Sequence, residues 1–404
     1  MIPYQKVFLQ KGKEFAVKRL HPWIFSGAIS RKEGNPTDGD IVEVFDFQKN
    51  YLATGHYFDG SIAVKLFSYQ QNTIDTAFWE EKLALALQIR QQIPLQAQAT
   101  TNCYRLIHGE GDGFPGLIMD YYAGVVVFQA HTIGMWQEKD KIVEALKKLP
   151  SSSIFELKAI YDKSAETLPD KFAKETSNQY LWHSPDFDTN IESHGVLENG
   201  HQFLIDWVNG QKTGFFLDQR DNRALLAQYA KGKNVLNTFC YSGGFSVYAL
   251  KAGASLVHSV DVSKKAIELV KQNVEANFGE IANHEAYAED VMNFLKKNTN
   301  KYDCIILDPP AYAKSINKRH QAVQGYKRLN AEGLKSLASG GILFTFSCSQ
   351  VVDRQLFYDT VVSAALEVGR QVKVLHQLTQ GADHPVSLFH PEGSYLKGLV
   401  LYVV

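Results

Sequence analysis

The sequence predicts an α/β protein in which a doubly wound parallel sheet is preceded by a small β-barrel and an α+β middle domain. Three observations predict this architecture. Short β-rich runs with glycine turns fill residues 1–72, mixed helix and strand patterns follow over 73–190, and strands alternate strictly with helices beyond Asp218. The predicted domains are therefore 1–72, 73–190 and 191–404.

Periodicity and turn residues predict the individual elements. In the barrel, three short β-rich runs alternate with turns at Asp38-Gly39 and Asp59-Gly60: Ile41–Phe45, Tyr51–Gly55 and Ile62–Phe67. In the middle domain the pattern predicts a helix, two strands, a second helix and a third strand, in the order Trp79–Gln92, Leu117–Tyr121, Val125–Ala130, Met135–Leu149 and Ile154–Leu157. The pair Asn199-Gly200, between alternating residues, predicts a hairpin at the start of the last domain.

Composition narrows the classes of function. The chain has 404 residues, with 42 Lys and Arg against 43 Asp and Glu, so its net charge of -1 gives no general attraction to nucleic acid. Four cysteines, at positions 103, 240, 304 and 348, lack metal-ligand spacing, which predicts a reducing, cytoplasmic location and neither a disulfide frame nor a metal site. Met1–Val17 lacks the apolar core of a signal peptide, and Gly398–Val404 is too short to span a membrane.

Two strand ends carry residues typical of catalysis. Asp308-Pro309-Pro310 follows the apolar run Tyr302–Leu307, which has the length of a buried parallel strand. Because the prolines cannot continue a hydrogen-bonded ladder, they form a rigid lip that suits a flat ring such as a nucleobase. A glycine turn at Gly340-Gly341 leads into another such strand, which ends in Ser347-Cys348-Ser349. Ligands bind at the carboxyl ends of parallel strands, so Asp308 and Cys348 are expected at one edge.

A nucleoside pocket is indicated at the neighbouring strand ends. The strand Asn234–Phe239 leads into a glycine loop without the full G-x-G-x-x-G motif, so phosphate binding is not indicated. Asp261 ends the next strand, where a carboxylate suits ribose hydroxyls, and Asp290 could meet an adenine amino group. This set fits S-adenosylmethionine better than a dinucleotide. The predicted cofactor residues of these strand ends are Asn237, Phe239, Tyr241, Ser242, Gly243, Gly244, Asp261, Asp290 and Asp308.

The motifs as a set resemble one family. Those that carry the resemblance are Lys212–Arg220, Asn237–Phe245, Asp308–Ala311, Ser347–Ser349 and Ala382–Pro385. They look like the motifs of bacterial 23S rRNA cytosine 5-methyltransferases of the large-subunit methyltransferase I type. The resemblance covers essentially the whole chain, and His21–Ile29 is similar to the start of the PUA domain of these enzymes. It implies a class I methyltransferase domain, S-adenosylmethionine as donor, 5-methylcytosine in rRNA as product, and a position near the donor pocket for Gln219 and Arg220.

A thiol mechanism follows from the resemblance. Carbon 5 of cytosine is a poor nucleophile unless a thiolate first adds to carbon 6. Cys348 is the predicted nucleophile, and Asp308 is the predicted partner of nitrogen 3. Ala311 stands where relatives with two cysteines carry the second, which implies a mechanism with one cysteine. Two alternatives stay open: methylation of a base nitrogen, which needs no thiol, and a non-catalytic ribosome-assembly factor that binds RNA.

A segment rich in cations comes directly after the Asp-Pro-Pro motif in the chain. Between Tyr312 and Ala331 the chain has no acidic residue, and its cations Lys314, Lys318, Arg319, Lys327 and Arg328 predict phosphate contacts. Tyr312 could stack on a flipped base or pack in the core. The expected partner is 23S rRNA or an assembly intermediate of the large subunit. The sequence leaves open whether the protein is a homodimer.

Overall fold

The computed structural model describes residues 4–93, 100–174, 176–191, 193–313 and 315–404. The chain forms two compact units. Unit 1 contains the chain up to Asn199, Ile205–Leu217 and Ala382–Gly393, and unit 2 contains Gly200–Leu204, Asp218–Gly381 and Ser394–Val404. The three domain boundaries drawn from the sequence stay a prediction.

The N-terminal strands form the first sheet of unit 1. They are β1 (Gln5–Leu9), β2 (Trp23–Phe25), β3 (Ile29–Glu33), β4 (Ile41–Phe45), β5 (Tyr51–Tyr57) and β6 (Ile62–Ser68), with the short helix α1 (Glu14–Lys18) after β1. Their order is β2-β6-β5-β4-β1-β3, in which β1 and β4 are parallel and the other pairs antiparallel. Val42 and Val44 alternate with half-buried residues along β4 and pack with Val7 and Leu9 in an apolar core. Burial thus alternates along β4, as expected for a strand with one face on a core.

A second sheet of unit 1 follows. Its elements are α2 (Thr76–Gln92), β7 (Cys103–His108), β8 (Leu117–Tyr122), β9 (Val125–Ala130), α3 (Ile133–Gln137), α4 (Lys139–Lys148), β10 (Ala159–Asp162), α5 (Asp170–Ala173) and β11 (Gln179–His183). The strands are ordered β11-β10-β9-β8-β7. The Asp75 carboxylate accepts a hydrogen bond from the Phe78 amide and caps α2, whose Trp79 and Leu83 are fully buried.

Two elements of this region differ from the prediction. The helix expected over Met135–Leu149 is divided at Glu138 into α3 and α4. The strand expected at Ile154–Leu157 is wrong, because this segment is a loop before β10. Phe155 is fully buried there, and the Tyr121 hydroxyl bonds both the amide and the carbonyl of Glu156 at 3.1 Å. A side chain thus satisfies this backbone, and the apolar pattern reflects burial alone.

The segment Ala382–Gly393 joins unit 1 through a buried arginine. The inaccessible Arg90 guanidinium donates to both Asp112 carboxylate oxygens, at 2.5 and 2.8 Å, and to the Asp383 carbonyl at 2.8 Å. The Asp383 carboxylate accepts a hydrogen bond from the Arg105 amide at 3.0 Å and lies 3.0 Å from His384 Nδ1. The Asp-His-Pro motif of the resemblance therefore has a structural role in unit 1.

A two-residue turn joins β12 (His194–Glu198) and β13 (His201–Ile205). Its residues Asn199 and Gly200 have φ angles of 50° and 77°. Positive φ at both positions is what the tight type I′ hairpin turn needs. The predicted Asn-Gly hairpin is confirmed.

Unit 2 is a sheet with helices between its strands. Its helices are α6 (Arg220–Ala230), α7 (Gly244–Lys251), α8 (Lys264–Phe278), α9 (Val291–Lys297), α10 (Arg319–Ser336) and α11 (Arg354–Glu367). Its strands are β14 (Asn234–Thr238), β15 (Leu256–Asp261), β16 (His284–Ala288), β17 (Tyr302–Leu307), β18 (Leu337–Ser347), β19 (Val372–Leu378) and β20 (Lys397–Val403). They are ordered β16-β15-β14-β17-β18-β20-β19, and β20 runs antiparallel to β18 and β19 while the other pairs are parallel.

The strand order of unit 2 reverses at β14. The chain moves outward from β14 to β16 and then continues with β17 on the other side of β14. Doubly wound sheets bind ligands at the carboxyl ends of the strands beside such a reversal. The predicted sheet is confirmed with one difference: β18 already begins at Leu337, and Gly340, with φ 79°, lies where its register against β17 shifts. Those glycines are therefore an irregularity inside the strand and not a turn before it.

No helix within the described ranges combines the length and the apolar character that crossing a membrane requires.

Candidate active site

The loop after β14 has an unusual backbone. Phe239, Tyr241 and Gly243 have φ angles of 53°, 44° and 78°, so left-handed residues alternate with ordinary ones. Non-glycine residues seldom adopt this conformation, and such strain concentrates at ligand sites. The Gly243 amide donates to the Cys240 carbonyl at 2.7 Å, and the Asn273 side chain donates to the Ser242 carbonyl at 2.8 Å. These bonds hold the loop in a tight curve at the carboxyl end of β14.

Two glycines let the loop approach the neighbouring helices. A Cβ atom on Gly243 would lie 3.0 Å from Val270 of α8, and one on Gly244 would lie 2.9 Å from Arg223 of α6. A side chain at Gly243 would require Val270 to shift slightly, and one at Gly244 would require the Arg223 side chain to move. Close packing thus favours glycine at both positions, and the positive φ of Gly243 favours it there as well.

Asn237 lies beneath the loop in a buried network. Its side-chain amide donates to Ser246 Oγ at 2.9 Å, which lies 2.7 Å from Ser259 Oγ, which in turn lies 2.9 Å from His284 Nε2. Burial lowers the pKa of His284 to about 4, so the imidazole is neutral near pH 7. The network joins β14, α7, β15 and β16 under the loop. Asn237 therefore supports the loop, and a direct contact with the cofactor stays a prediction.

Asp261 ends β15, one strand away from the loop. Its Oδ2 accepts a hydrogen bond from the Tyr241 amide at 3.2 Å, and its Oδ1 accepts one from the Ser263 amide at 2.9 Å. Because each carboxylate oxygen accepts about two hydrogen bonds, both keep capacity for a ligand hydroxyl. Val262, the next residue, is 76% exposed, and an exposed apolar side chain there suits the face of a flat ring. Sequence reasoning missed Val262, although an apolar residue directly after a strand-end Asp was a visible signal.

Asp290 follows β16 at the start of α9. Its Oδ1 accepts a hydrogen bond from the Asn293 amide at 2.9 Å, which makes it the N-cap of that helix. Its side chain is exposed. Helix capping accounts for this contact, and the adenine contact stays a prediction.

Hydrogen bonds between side chains hold Asp308, which follows β17. Gln219 Nε2 donates to Asp308 Oδ2 at 3.0 Å, and Asn222 Nδ2 donates to Gln219 Oε1 at 2.6 Å. Gln219 and its neighbour Arg220 are both buried. The sheet edge thus brings the predicted residues Gln219 and Asp308 into contact. Asn222 was missed, although it lies three residues from Gln219 at the start of a helix.

The four cysteines differ in accessibility. Cys103 and Cys304 are fully buried and Cys240 is nearly so, whereas Cys348 is partly exposed. Burial raises the pKa of Cys304 to about 12 and raises the pKa of Cys240 well above its usual value, so both stay protonated at neutral pH. Of the four, which all lie within the described ranges, only Cys348 is accessible to a reactant.

Cys348 follows β18, the neighbour of β17. Leu307 of β17 is opposite Thr345 of β18, so Asp308 and Cys348 leave adjacent parallel strands at the same edge. The Ser349 hydroxyl donates to the Ala313 carbonyl at 2.7 Å and ties the Cys348 segment to the segment after the prolines.

A buried lysine lies beside this segment. Lys397 of β20 is opposite Ser347, is 4% exposed, and donates to the Ser349 carbonyl at 2.6 Å and the Tyr395 carbonyl at 2.7 Å. Sequence reasoning missed it. Its signal was a cation at the start of an otherwise apolar strand.

The cations predicted to contact RNA lie before and along α10. Lys318, Arg319 and Arg328 are exposed, and Lys314 lies outside the described residues. Lys327 forms an ion pair of 2.8 Å with Glu367 of α11. Arg319 borders a groove of about 480 Å³ that also contains Asp353 and Asp359. Acidic residues at the start of α11 and along it therefore lie near these cations, which a count along α10 could not show.

Tyr312, the predicted stacking residue, is half-buried. Its ring packs against Tyr326 with 4.6 Å between the centroids. A Cβ atom on Gly325 would lie 2.9 Å from the same ring, so the glycine makes room for it. Tyr312 thus has a packing role in this structure, and its contact with a base stays a prediction.

The strand ends of unit 2 fit S-adenosylmethionine chemically. The strained loop packs closely at Gly243 and Gly244, and the Asp261 carboxylate keeps acceptor capacity for ribose hydroxyls. Asn237 and the two serines of its network are buried below them. At the same edge, Asp308 and Cys348 offer an acid or acceptor and a nucleophile.

Comparisons with known proteins agree with this fit. A family model for S-adenosylmethionine-dependent methyltransferases matches residues 104–383, and a model for a PUA-like domain matches residues 7–69. Ribosomal RNA large subunit methyltransferase I of Aeromonas hydrophila is 40% identical over 401 residues, which cover 98% of each chain. The protein of the same name from Pseudoalteromonas atlantica is 40% identical over 404 residues, which cover 99% of each chain.

Solved structures show the same fold. A Streptococcus mutans protein described as a SAM-dependent methyltransferase superposes with a TM-score of 0.82 at 24% identity, over 98% of this chain and 99% of that one. A methyltransferase complexed with SAH has the same TM-score and identity. The class I methyltransferase fold, the PUA-like domain and S-adenosylmethionine as cofactor are thereby confirmed. The chain belongs to the ribosomal RNA large subunit methyltransferase I family of S-adenosylmethionine-dependent enzymes.

Proposed function

We propose that the protein methylates carbon 5 of a cytosine in 23S rRNA through a covalent adduct with Cys348. The whole-length relatives are named ribosomal RNA large subunit methyltransferases, which supports large-subunit RNA as the substrate. The observation that carries carbon 5 is the accessible Cys348 thiol at the end of the strand beside Asp308. Methylation of a base nitrogen would need no thiol at this place.

The donor half of the site is the set of strand ends from β14 to β16. When bound, S-adenosylmethionine supplies an electrophilic methyl group. Asp261 accepts hydrogen bonds from the ribose hydroxyls, Val262 contacts the adenine ring, and Asp290 accepts from the adenine amino group. The remaining residues surround the donor: Gln219, Arg220, Phe239, Tyr241, Ser242, Gly243 and Gly244. Asn237 keeps the loop in place through its bond to Ser246.

The acceptor half of the site activates the base. The Cys348 thiolate forms a bond to carbon 6, and Asp308 donates a proton or a hydrogen bond at nitrogen 3, which stabilises the charge that the addition creates. Carbon 5, now enamine-like, would take the methyl group as the carbon–sulfur bond of the sulfonium breaks; the electron pair of that bond stays on sulfur, and the donor leaves as a neutral thioether. A base then removes the proton of carbon 5, the electrons of that bond form the C5–C6 double bond, and the sulfur leaves as thiolate. Where nitrogen 3 has taken a proton, that proton returns to Asp308 in this step.

RNA binding is proposed for two regions. The PUA-like region, 7–69, is one of them. The other is the set of cations around α10, which would contact phosphates: Lys314, Lys318, Arg319, Lys327 and Arg328. Tyr312 would meet the flipped base only with the part of its ring that Tyr326 leaves open. The partner is 23S rRNA or an assembly intermediate of the large subunit.

Removal of the thiol tests the mechanism. Cys348→Ala should keep the fold and the donor affinity, because a small side chain at a strand end is exchanged for a similar one. Its turnover should fall by at least about 10³, since the route through carbon 6 is lost. The parent should also form a stable adduct with RNA that contains 5-fluorocytosine at the target, because fluorine cannot leave as the proton does. Cys240→Ala, which alters a buried thiol of the same unit, is the matched control and should still form the adduct.

The same measurements separate the alternatives. A Cys348→Ala enzyme with near-parental turnover would reject carbon 5 and favour a base nitrogen. A parent without any methyl transfer to rRNA would favour an assembly factor. Mass spectrometry of rRNA from a strain that lacks the gene identifies the modified base and its position.

A further inference from the structure

Lys397 lies beside the Cys348 segment but has no role in the chemistry proposed above. It belongs to β20, the strand antiparallel to β18, and the pairing sets it opposite Ser347, the residue before Cys348. Its ammonium group donates to the carbonyl of Ser349, the residue after Cys348, at 2.6 Å. The lysine is therefore bonded to the segment that carries the thiol and is fixed on the neighbouring strand.

Burial of this lysine needs a physical reason. Lys397 is 4% exposed, and a charged ammonium group is rarely buried without compensation. Two carbonyls, of Ser349 and Tyr395, take two of its three N–H donors. Carbonyl dipoles alone are weaker partners than an anion. A thiolate at Cys348 would supply the missing negative charge.

We propose that Lys397 is a positioning residue whose charge stabilises the thiolate form of Cys348. The proposal rests on the function proposed above, in which Cys348 attacks carbon 6. The strand β20 brings the cation to the thiol from the side opposite β17, so the thiolate forms between a cation and the base. Reactive cysteines are commonly activated by such a neighbouring cation.

The electrostatic surroundings of the lysine agree with this role. Burial lowers the pKa of Lys397 to about 8, Cys348 and Asp353 act to raise it, and Arg354 lowers it. Tyr326 faces Cys348 from α10, and burial raises its pKa to about 12, so its hydroxyl stays neutral. Asp308 is a further acidic group near Tyr326. At neutral pH the lysine is therefore mostly charged, and the Ser349 and Tyr395 carbonyls hold its ammonium group in place.

The rate of alkylation of Cys348 as a function of pH tests the pair without RNA. Iodoacetamide reacts with thiolates, the other three cysteines are buried, and mass spectrometry of the Cys348 peptide identifies the product. Lys397→Met keeps the length of the side chain and removes the charge. Its alkylation midpoint should move about one pH unit or more higher, because loss of a nearby opposite charge disfavours the thiolate. The rate at pH 7 should fall about tenfold as a result. Lys373→Met, an exposed lysine on the adjacent strand β19, is the matched control and should keep the parental midpoint.

Other results would overturn the proposal. One is a Lys397→Met protein that folds, as its thermal midpoint shows, and has the parental alkylation midpoint; such a lysine would only tie two carbonyls together. If Lys397→Met does not fold, Lys397→Gln, which can still donate to both carbonyls, takes its place and must show the same shift. In the parent itself, a midpoint at or above that of a free cysteine, about 8.5, also rejects the pair.

The adduct with 5-fluorocytosine is a separate measurement. A shift of the midpoint in a protein that forms no adduct supports the pair and rejects the cytosine mechanism. An adduct without any shift rejects the pair and leaves the cytosine mechanism.

Discussion

Gln219 and Asp308, which lie 89 positions apart in the chain, are joined by a hydrogen bond of 3.0 Å from the Gln219 side-chain amide to the Asp308 carboxylate. The glutamine is itself oriented by Asn222, whose amide also donates to the Thr379 carbonyl at 3.3 Å. A carboxylate held in this way has a fixed direction. A group that must contact one particular atom of a base needs such a fixed direction.

Loss of the glutamine hydrogen bond should therefore affect the reaction more than donor binding. Gln219→Leu removes one hydrogen bond to a carboxylate, which is worth about 1 to 3 kcal/mol. We expect kcat to fall roughly tenfold. Steady-state kinetics with rRNA measures this. The exposed Gln371→Leu should leave kcat unchanged, and an unaltered kcat in Gln219→Leu would show that the hydrogen bond has no role in the reaction.

Asp261 is expected to carry a large share of donor binding. Asp261→Ala should weaken S-adenosylmethionine binding by on the order of 1 to 3 kcal/mol, because the ribose hydroxyls lose a charged acceptor. The bond to the Tyr241 amide is lost as well, so the loop should loosen. Calorimetry measures the donor affinity, and the affinity for RNA should hardly change. Unchanged donor affinity would reject the assignment of the pocket.

The cations around α10 should give RNA binding its salt dependence. We expect a lower affinity for RNA when four cations are neutralised together: Lys318, Arg319, Lys327 and Arg328. The slope of log affinity against log salt concentration should become shallower by up to about 0.7 to 0.9 for each phosphate that the protein no longer binds. Lys327→Ala alone should contribute least, since Glu367 already pairs with that lysine. Binding titrations at several salt concentrations measure the slope. A quadruple variant with the parental slope would mean that these residues are an ordinary solvated surface.

The strand ends of unit 2 could be predicted because they depend on local signals. Asp308 follows a strand of apolar residues that ends at Leu307, and Asp261 closes β15, as expected. Apolar runs of limited length fix where a buried parallel strand stops. The loop glycines were visible for the same reason, since a turn between strand and helix is a short-range feature.

Interactions between distant segments could not be predicted in this way. Lys397 reaches the Cys348 segment because β20 inserts beside β18 from about fifty residues further along the chain, a distance that periodicity does not encode. Glu367 neutralises Lys327 from another helix. The segment Ile154–Leu157 resembles a strand because Phe155 is buried, yet it is a loop whose backbone Tyr121 satisfies. In each example the decisive partner is remote in sequence.

The acid stability of unit 1 should depend on His56. Burial lowers the pKa of His56 to about 3, and among the described residues neither ring nitrogen has a hydrogen-bond partner. The folded protein therefore keeps this imidazole neutral, whereas the unfolded chain protonates it near pH 6.5. Above pH 6.5 the neutral imidazole does not reduce the free energy of unfolding. As the pH falls from 6.5 toward 3, the unfolded chain binds the proton and the folded protein does not, so the free energy of unfolding decreases by about 1.4 kcal/mol per pH unit. Burial also lowers the pKa of His131 to about 4, and this acts in the same direction.

His56→Leu should remove this contribution to the pH dependence. Between roughly pH 6 and pH 4, its free energy of unfolding should decrease by about 1.4 kcal/mol less per pH unit than that of the parent. Urea unfolding at a series of pH values measures both slopes, and the comparison is of slopes because the substitution also changes packing against Gly134 and Phe67. The exposed His320→Leu is the matched control and should parallel the parent. Equal slopes for His56→Leu and the parent would mean that His56 takes up its proton in the folded state as readily as in the unfolded chain.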